Sequence, residues 1–137
     1  MTIVDSTVWV DYFRGRDNPQ TAWLDGHVAT EPIGLTDLIL CEVLQGVRDD
    51  GALPKLQRDL AAFQVFETGG VGLAVAAAAN YRTLRARGRT VKTIDCLIAT
   101  FCLLNDHALL HNDRDYDVFE TQLGLAVLHP DAWVDPG

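Results

Sequence analysis

The sequence predicts an α/β fold: a single domain with a central, mainly parallel sheet flanked by helices. Three observations carry this expectation. Short apolar or β-branched runs alternate with longer stretches of helical spacing, which is the signature of βαβ crossovers. The 137 residues suffice for one proper core and fall short of two ordinary ones. Hydrophobic residues make up 48 % of the chain, so it is globular rather than disordered. No repeat, linker or low-complexity segment divides it, and one domain over residues 1–137 is expected.

The elements follow in order. Thr2, Ile3 and Val4 form a β-branched strand that ends at Asp5. Asp5 or Ser6 caps a helix from Thr7 to Phe13, whose Val8, Trp9, Tyr12 and Phe13 supply apolar surface. Asn18 and Pro19 read as the N-cap and first position of a short helix through Trp23 and Leu24. Ile33 to Leu35 make a second strand, and Thr36 caps a helix from Asp37 to Val47 in which Glu42 interrupts the apolar set. After the Asp49-Asp50-Gly51 loop, Pro54 starts a helix running to about Phe63, followed by a short strand at Val65 and Phe66. The longest helix is expected from Val71 to Arg87, with Gly88 as its stop.

Then comes a helix that is apolar on nearly every side, Cys96 to Leu104, with Asp95 in its first turn. A helix without a polar face is buried. Asn105 and Asp106 end it, and Ala108 to Leu110 form a buried strand leading into His111, Asn112 and Asp113. A helix from Tyr116 to Leu123, a last strand at Ala126 to Leu128 and a tail from Pro130 complete the chain.

The formal charge is −8, from 19 acids against 11 bases, which taken alone argues against non-specific nucleic-acid binding. The charges are segregated, however. No acid lies between Glu67 and Asp95, while Arg82, Arg85, Arg87, Arg89 and Lys92 crowd the second half of that interval. Cys41, Cys96 and Cys102 sit in apolar helical patterns without a CxxC pair, which fits buried free thiols in a reducing compartment. The N-terminus has no signal-like stretch, and no run approaches the ~18 apolar residues of a membrane span. A cytoplasmic protein is expected.

In parallel sheets ligands bind outside the carboxyl ends of the strands. Asp5 and Asp113 each sit immediately after a strand, and Asp95 opens the buried helix. One sheet edge would bring such acids together, and carboxylates at the edge of a core are costly unless a positive charge compensates them. Magnesium and manganese prefer carboxylate and water oxygens. A metal so held lowers the pKa of a water and stabilises charge on a phosphate, which suits phosphodiester hydrolysis.

Here the sequence resembles a family. MTIVDSTVWVDYF, the acid within TDLILCEVLQG, TIDCLIATFC and LLHNDRDYDVF are similar, in order and across essentially the whole chain, to the four signature segments of PIN-domain ribonucleases. The similarity is specifically to VapC-type toxins of bacterial toxin–antitoxin pairs. It implies a PIN fold and a divalent-metal-dependent endoribonuclease that uses a metal-activated water. Its acidic positions fall on Asp5, Glu42, Asp95 and Asp113 as catalytic metal ligands, and Asp115 matches a further acid. Ser6 and Asn112 fall on its small polar positions, with the scissile phosphate or a carboxylate to orient. The resemblance further implies Mg²⁺ or Mn²⁺, an RNA substrate, homodimerisation and neutralisation by a VapB-type antitoxin.

Plainer readings stand beside these. Asp5 and Asp95 are also ordinary helix caps or dipole partners, and Glu42 shares a helix face with Leu38, Gln45 and Gly46 that solvent could cover. Arg85, Arg87, Arg89 and Lys92 form either a solvated helix end or an RNA-backbone groove. An EF-hand is excluded, because Val118 and Gly124 stand where its glycine and bidentate glutamate belong. A zinc site from His107 and His111 lacks the accompanying HExxH or cysteines. The other functions to weigh are a housekeeping PIN nuclease in RNA processing, a phosphoacceptor signalling domain and an inert partner-binding scaffold. The phosphoacceptor class needs paired acids after the first strand, where this chain has Asp5 followed by Ser6 and Thr7, and a late lysine that is absent.

Overall fold

A computed structural model describes residues 1–130, so the tail expected beyond Pro130 lies outside the described residues. Four parallel strands form one sheet in the order β3-β2-β1-β4. They are β1 (Thr2–Val4), β2 (Ile33–Thr36), β3 (Gln64–Phe66) and β4 (Ala108–Leu110). Their register pairs Thr2 with Ile33 on one side and with Ala108 on the other. Among the described residues seven helices surround the sheet: α1 (Ser6–Phe13), α2 (Pro19–His27), α3 (Asp37–Gln45), α4 (Leu53–Ala61), α5 (Val71–Ala86), α6 (Thr93–Asn105) and α7 (Asp117–Leu123).

The capping residues named from sequence cap these helices. Asp5 caps α1 by accepting from the Thr7 amide. Asn18 forms a reciprocal capping box with Thr21. Thr36 accepts from the amide of Ile39 at the start of α3. The Gly88 stop also holds: its φ of 76° is the left-handed conformation that glycine adopts without steric cost, and Arg89 donates back to the Leu84 carbonyl at 2.8 Å.

The core lies between the sheet and its helices. Ile3, Val4, Leu35, Leu109 and Leu110 are fully buried, as are Val8 and Trp9 of α1 and Ile98, Ala99 and Cys102 of α6. Trp9 is therefore a core residue, stacked on Phe13 and tilted against Phe63. Gly34 is required by packing, since a Cβ there would stand 2.9 Å from the Gln64 carbonyl oxygen of the neighbouring strand. No helix among the described residues is long and apolar enough to cross a membrane.

One expected element is reduced. The strand predicted at Ala126 to Leu128 is a single parallel bridge, Val127 to Leu109. Leu109 donates to the Ala126 carbonyl and Leu128 donates to the Leu109 carbonyl, both at 2.9 Å. The ladder stops there: His129 turns to Glu120 at 2.8 Å, and Pro130 has no N–H to extend it.

Candidate metal centre

The topology collects the acids at one edge. The sheet order places β2 on one side of β1 and β4 on the other, so the chain reverses direction across the sheet between β1 and β4, where a crevice opens outside the carboxyl ends. Asp5 leaves β1 there, its amide bonded to the Leu110 carbonyl at 2.9 Å. Asp113 leaves β4 on the facing side and caps the 3-10 turn Arg114–Tyr116. The helix α6 feeds β4 through a short connection and runs back along it, which carries its first turn, and Asp95 with it, to the same edge. Glu42 arrives from α3, which starts directly after β2.

Ligand oxygens of Asp95, Asp113 and Asp115 lie within 4.8 Å of one another. Asp5 and Glu42 border this group. Asp5 couples electrostatically to Asp95, and Glu42 to Asp5, Asp95 and Asp113. The five acids expected from sequence are thus brought to one place, with Asp113 and Asp115 beside Asp95 and with Asp5 and Glu42 around them. Glu42 is half-buried, not solvated, and accepts from Ser6 Oγ at 3.3 Å. Ser6 therefore faces a carboxylate. Asn112 is exposed, and its backbone N–H donates to Thr7 Oγ1 at 3.1 Å.

Burial and like charge dominate the electrostatics. Asp95 retains 7 % exposure, and burial, then Asp5, then Asp113 push its carboxyl up to about 6. Glu42 is raised by burial and then by Asp5 and Asp95. Asp5 is raised by burial against the opposing hydrogen bonds from Thr7 and Tyr116. The Asp95 Oδ2 atom is buried and has no hydrogen-bond partner among the described residues. A buried carboxylate oxygen without a donor is costly, and here it faces further carboxylates. This donor set, all oxygens with one oxygen orphaned, fits a hard divalent cation.

The basic run divides. Arg87 Nη1 donates to the Gln122 carbonyl at 3.0 Å and so ties the end of α5 to α7. Arg85 lies over the Tyr81 ring at 5.9 Å. Lys92 reaches the acids, 3.0 Å from Asp115 Oδ2, and lines an open pocket with Arg89 and Arg114. Sequence reasoning missed three residues here. Arg114 lies inside the last acidic motif and adds a cation beside it. Thr7 and Tyr116 both bond Asp5. The position of Thr7, two after a helix-capping acid, is a readable signal for such a bond. Nothing in the sequence joins Tyr116 to an acid 111 positions away.

A parallel sheet with polar side chains gathered at its reversal point defines a class, the α/β domains whose functional site lies at the carboxyl edge. Within that class the chain belongs to the PIN domain family, whose model matches residues 2–121. It is 31 % identical over 121 residues to the VapC ribonuclease Mb1587 of Mycobacterium bovis, covering 86 % of this chain and 90 % of that protein. The same values hold for ribonuclease VapC11 of Mycobacterium tuberculosis. Among solved structures, the toxin–antitoxin complex from Klebsiella pneumoniae superposes with a TM-score of 0.72 at 16 % identity. That match covers 95 % of this chain and 98 % of that one, and it reports on the fold. PIN nucleases depend on metal, and the acidic cluster here is one that could bind it.

Proposed function

We propose that this protein is a metal-dependent endoribonuclease, the toxin of a VapBC-type toxin–antitoxin pair, with its PIN domain taking up residues 1–137. The observation that carries this reading is the convergence of Asp95, Asp113 and Asp115, with Asp5 and Glu42 alongside. In this reading Asp5, Asp95 and Asp113 are ligands, Asp115 a further ligand and Glu42 a direct or water-mediated one. Mg²⁺ or Mn²⁺ is the ion, because oxygen-only donors suit it. A bound divalent cation supplies Lewis-acid charge at the scissile phosphate and a water of lowered pKa. The chain's own residues do the rest. Burial and like charge raise the carboxyls of Asp95 and Glu42 above their ordinary values, a like-charge cost that a bound divalent cation would relieve. Ser6 orients Glu42 through the 3.3 Å bond. Lys92, Arg89 and Arg114 offer cations to the RNA backbone at the rim of the site.

The resemblance to proteins named VapC ribonuclease supports the toxin role, and a VapB-type antitoxin as partner and a cytoplasmic homodimer belong to the same proposal. The decisive experiment is cleavage of RNA by the purified chain with Mn²⁺ or Mg²⁺, with EDTA, and by the Asp5→Asn, Asp95→Asn double variant. Cleavage is expected only with metal and intact acids. Undiminished cleavage by the folded double variant overturns the reading. Co-purification with a small protein encoded immediately upstream separates the toxin from a housekeeping PIN nuclease.

A further inference from the structure

Asp5 is 2 % exposed, and almost every direction from its carboxylate is taken. An ionised carboxylate has about four lone-pair sites, two on each oxygen. Oδ2 receives two hydrogen bonds, from the Thr7 amide at 3.2 Å and the Thr7 hydroxyl at 2.8 Å. Oδ1 receives one, from the Tyr116 hydroxyl at 3.0 Å. The Ser6 amide adds a further hydrogen bond to the carboxylate, so little of it is left open to a cation, and Thr7 already fills Oδ2.

Both donors are themselves fixed. Thr7 Oγ1 accepts from the Asn112 amide at 3.1 Å, so its hydroxyl proton is committed to Asp5. Tyr116 is 1 % exposed, its ring packed against His111 at 5.0 Å and Phe119 at 6.1 Å. A phenol hydroxyl is a hydrogen-bond donor at neutral pH. The Tyr116 amide donates to the Asp113 carbonyl at 3.1 Å. The turn that presents Asp113 and Asp115 thus also carries the hydroxyl that locks the acid on the opposite strand.

We propose that Tyr116 is a positioning residue of the metal centre. Its hydroxyl, acting with Thr7, limits Asp5 to one-oxygen coordination through Oδ1. This rests on Asp5 being a ligand. It bears on which cation the site accepts. Calcium takes six to eight oxygens with carboxylates often bidentate, whereas the smaller magnesium demands near-octahedral geometry from few carboxylates. A carboxylate held to one oxygen serves the second kind of ion and penalises the first. Tyr116→Phe removes one oxygen atom and keeps the ring; with Oδ1 no longer anchored, the carboxylate can turn away from Thr7 and exchange those bonds for chelation through both oxygens.

The test is titration calorimetry of the full chain with Mn²⁺ and separately with Ca²⁺. The parent, Tyr116→Phe and Asp5→Asn are compared, with circular dichroism in EDTA to confirm the fold. Loss of such a supporting bond is expected to weaken Mn²⁺ about 10-fold or more. Ca²⁺ should weaken less, so that the ratio of the two Kd values narrows. A mere packing role would change the melting temperature and leave that ratio alone. Mn²⁺ affinity within twofold of the parent in Tyr116→Phe, with a large loss in Asp5→Asn, overturns this proposal and leaves the metal reading standing. Unchanged affinity in both variants overturns the metal reading as well. Should Tyr116→Phe not fold, Thr7→Val against Thr7→Ser decides. Weakened Mn²⁺ binding in the valine variant, restored by serine, supports the clamp, and equal affinity in the two overturns it.

Discussion

Asp5 and Asp95 both stand at the start of a helix on the same sheet edge, and they are held in opposite ways. Asp5 is saturated with donors, from Thr7 on one oxygen and Tyr116 on the other. Asp95 has a buried Oδ2 with no partner among the described residues, and its pKa is driven up to about 6. One carboxylate is anchored by hydrogen bonds, and the other keeps a buried oxygen without a donor, its charge offset only in part by the exposed Lys92. Full satisfaction on one side and deliberate deficiency on the other is how an oxygen site can be both ordered and hungry for a cation. Two ordinary helix caps would both resemble Asp5.

The largest effect expected from breaking this pair is on activity. Either Asp5→Asn or Asp95→Asn should lower RNA cleavage by at least about 100-fold, since even outer-shell losses cost 10–100-fold at metal sites. Gel assays with excess Mn²⁺ read this directly. If both variants cleave at the parent's rate and need no more Mn²⁺ than the parent to do so, neither acid is a ligand. Next in size is the response of the parent to metal. An ion that binds only the folded state at 100 times its Kd stabilises it by about 2.7 kcal/mol, roughly 10 °C in Tm for a domain of this size. Melting in Mn²⁺ against EDTA measures it, and an absent shift would mean that the Asp95 oxygen is simply unsatisfied.

The contrast between the two acids also marks how far the sequence could be read. Asp5, Asp95 and Asp113 were legible because their placement depends on strand ends and helix starts, which local patterning reveals. Glu42 was legible only through its place in a motif. Its helix face reads as solvated until the first turn of α1 brings Ser6 across to it at 3.3 Å. The Tyr116 bond to Asp5 spans 111 positions, and only the β1–β4 register creates it. The last strand was over-read because Ala126, Val127 and Leu128 have strand composition, while the Pro130 that shortens their pairing acts through a missing donor. Arg87 was grouped with its basic neighbours, since no local signal shows that its guanidinium docks α7.

Stability without metal sharpens the comparison further. The Asp95 carboxyl has a folded pKa of about 6 against an ordinary 3.8. The folded state therefore holds more protons across that interval, and stability is lost as pH rises through it. In EDTA the parent should melt progressively lower between pH 4 and about pH 6.5 on this account. Asp95→Asn removes the charge, so near pH 7 it should melt above the metal-free parent, by roughly 1–2 kcal/mol once solvent screening is allowed for. Asp5→Asn should do the reverse. Its amide would turn an NH₂ toward the Tyr116 or Thr7 donors, and a buried unsatisfied donor costs about 1–3 kcal/mol. Thermal melts in EDTA from pH 4 to 8 check both signs. If both variants melt lower, the two acids are equivalent caps.

The smallest effect concerns the cations beside the acids. Lys92 pairs with Asp115 at 3.0 Å while standing fully exposed. A counter-ion on the metal side of Asp115 would free the Lys92 ammonium for a phosphate. Each lysine or arginine that neutralises a phosphate of single-stranded nucleic acid adds about 0.7 to the slope of log affinity against log salt. Replacing Arg85, Arg87, Arg89 and Lys92 together by glutamine should therefore flatten that slope and weaken RNA binding evenly across sequences. The contributions should be unequal. Arg87 is held by Gln122, whereas Lys92 and Arg89 border the acids, so Lys92→Gln alone should flatten the slope by about 0.7 and Arg87→Gln by less. Binding is measured with Ca²⁺ in place of Mn²⁺ on the cleavage-deficient Asp95→Asn background, between low and moderate salt. An unchanged slope in the fourfold variant would assign the basic run to the solvated surface. A larger effect from Arg87 than from Lys92 would place the RNA along α5 and α7, away from the acids.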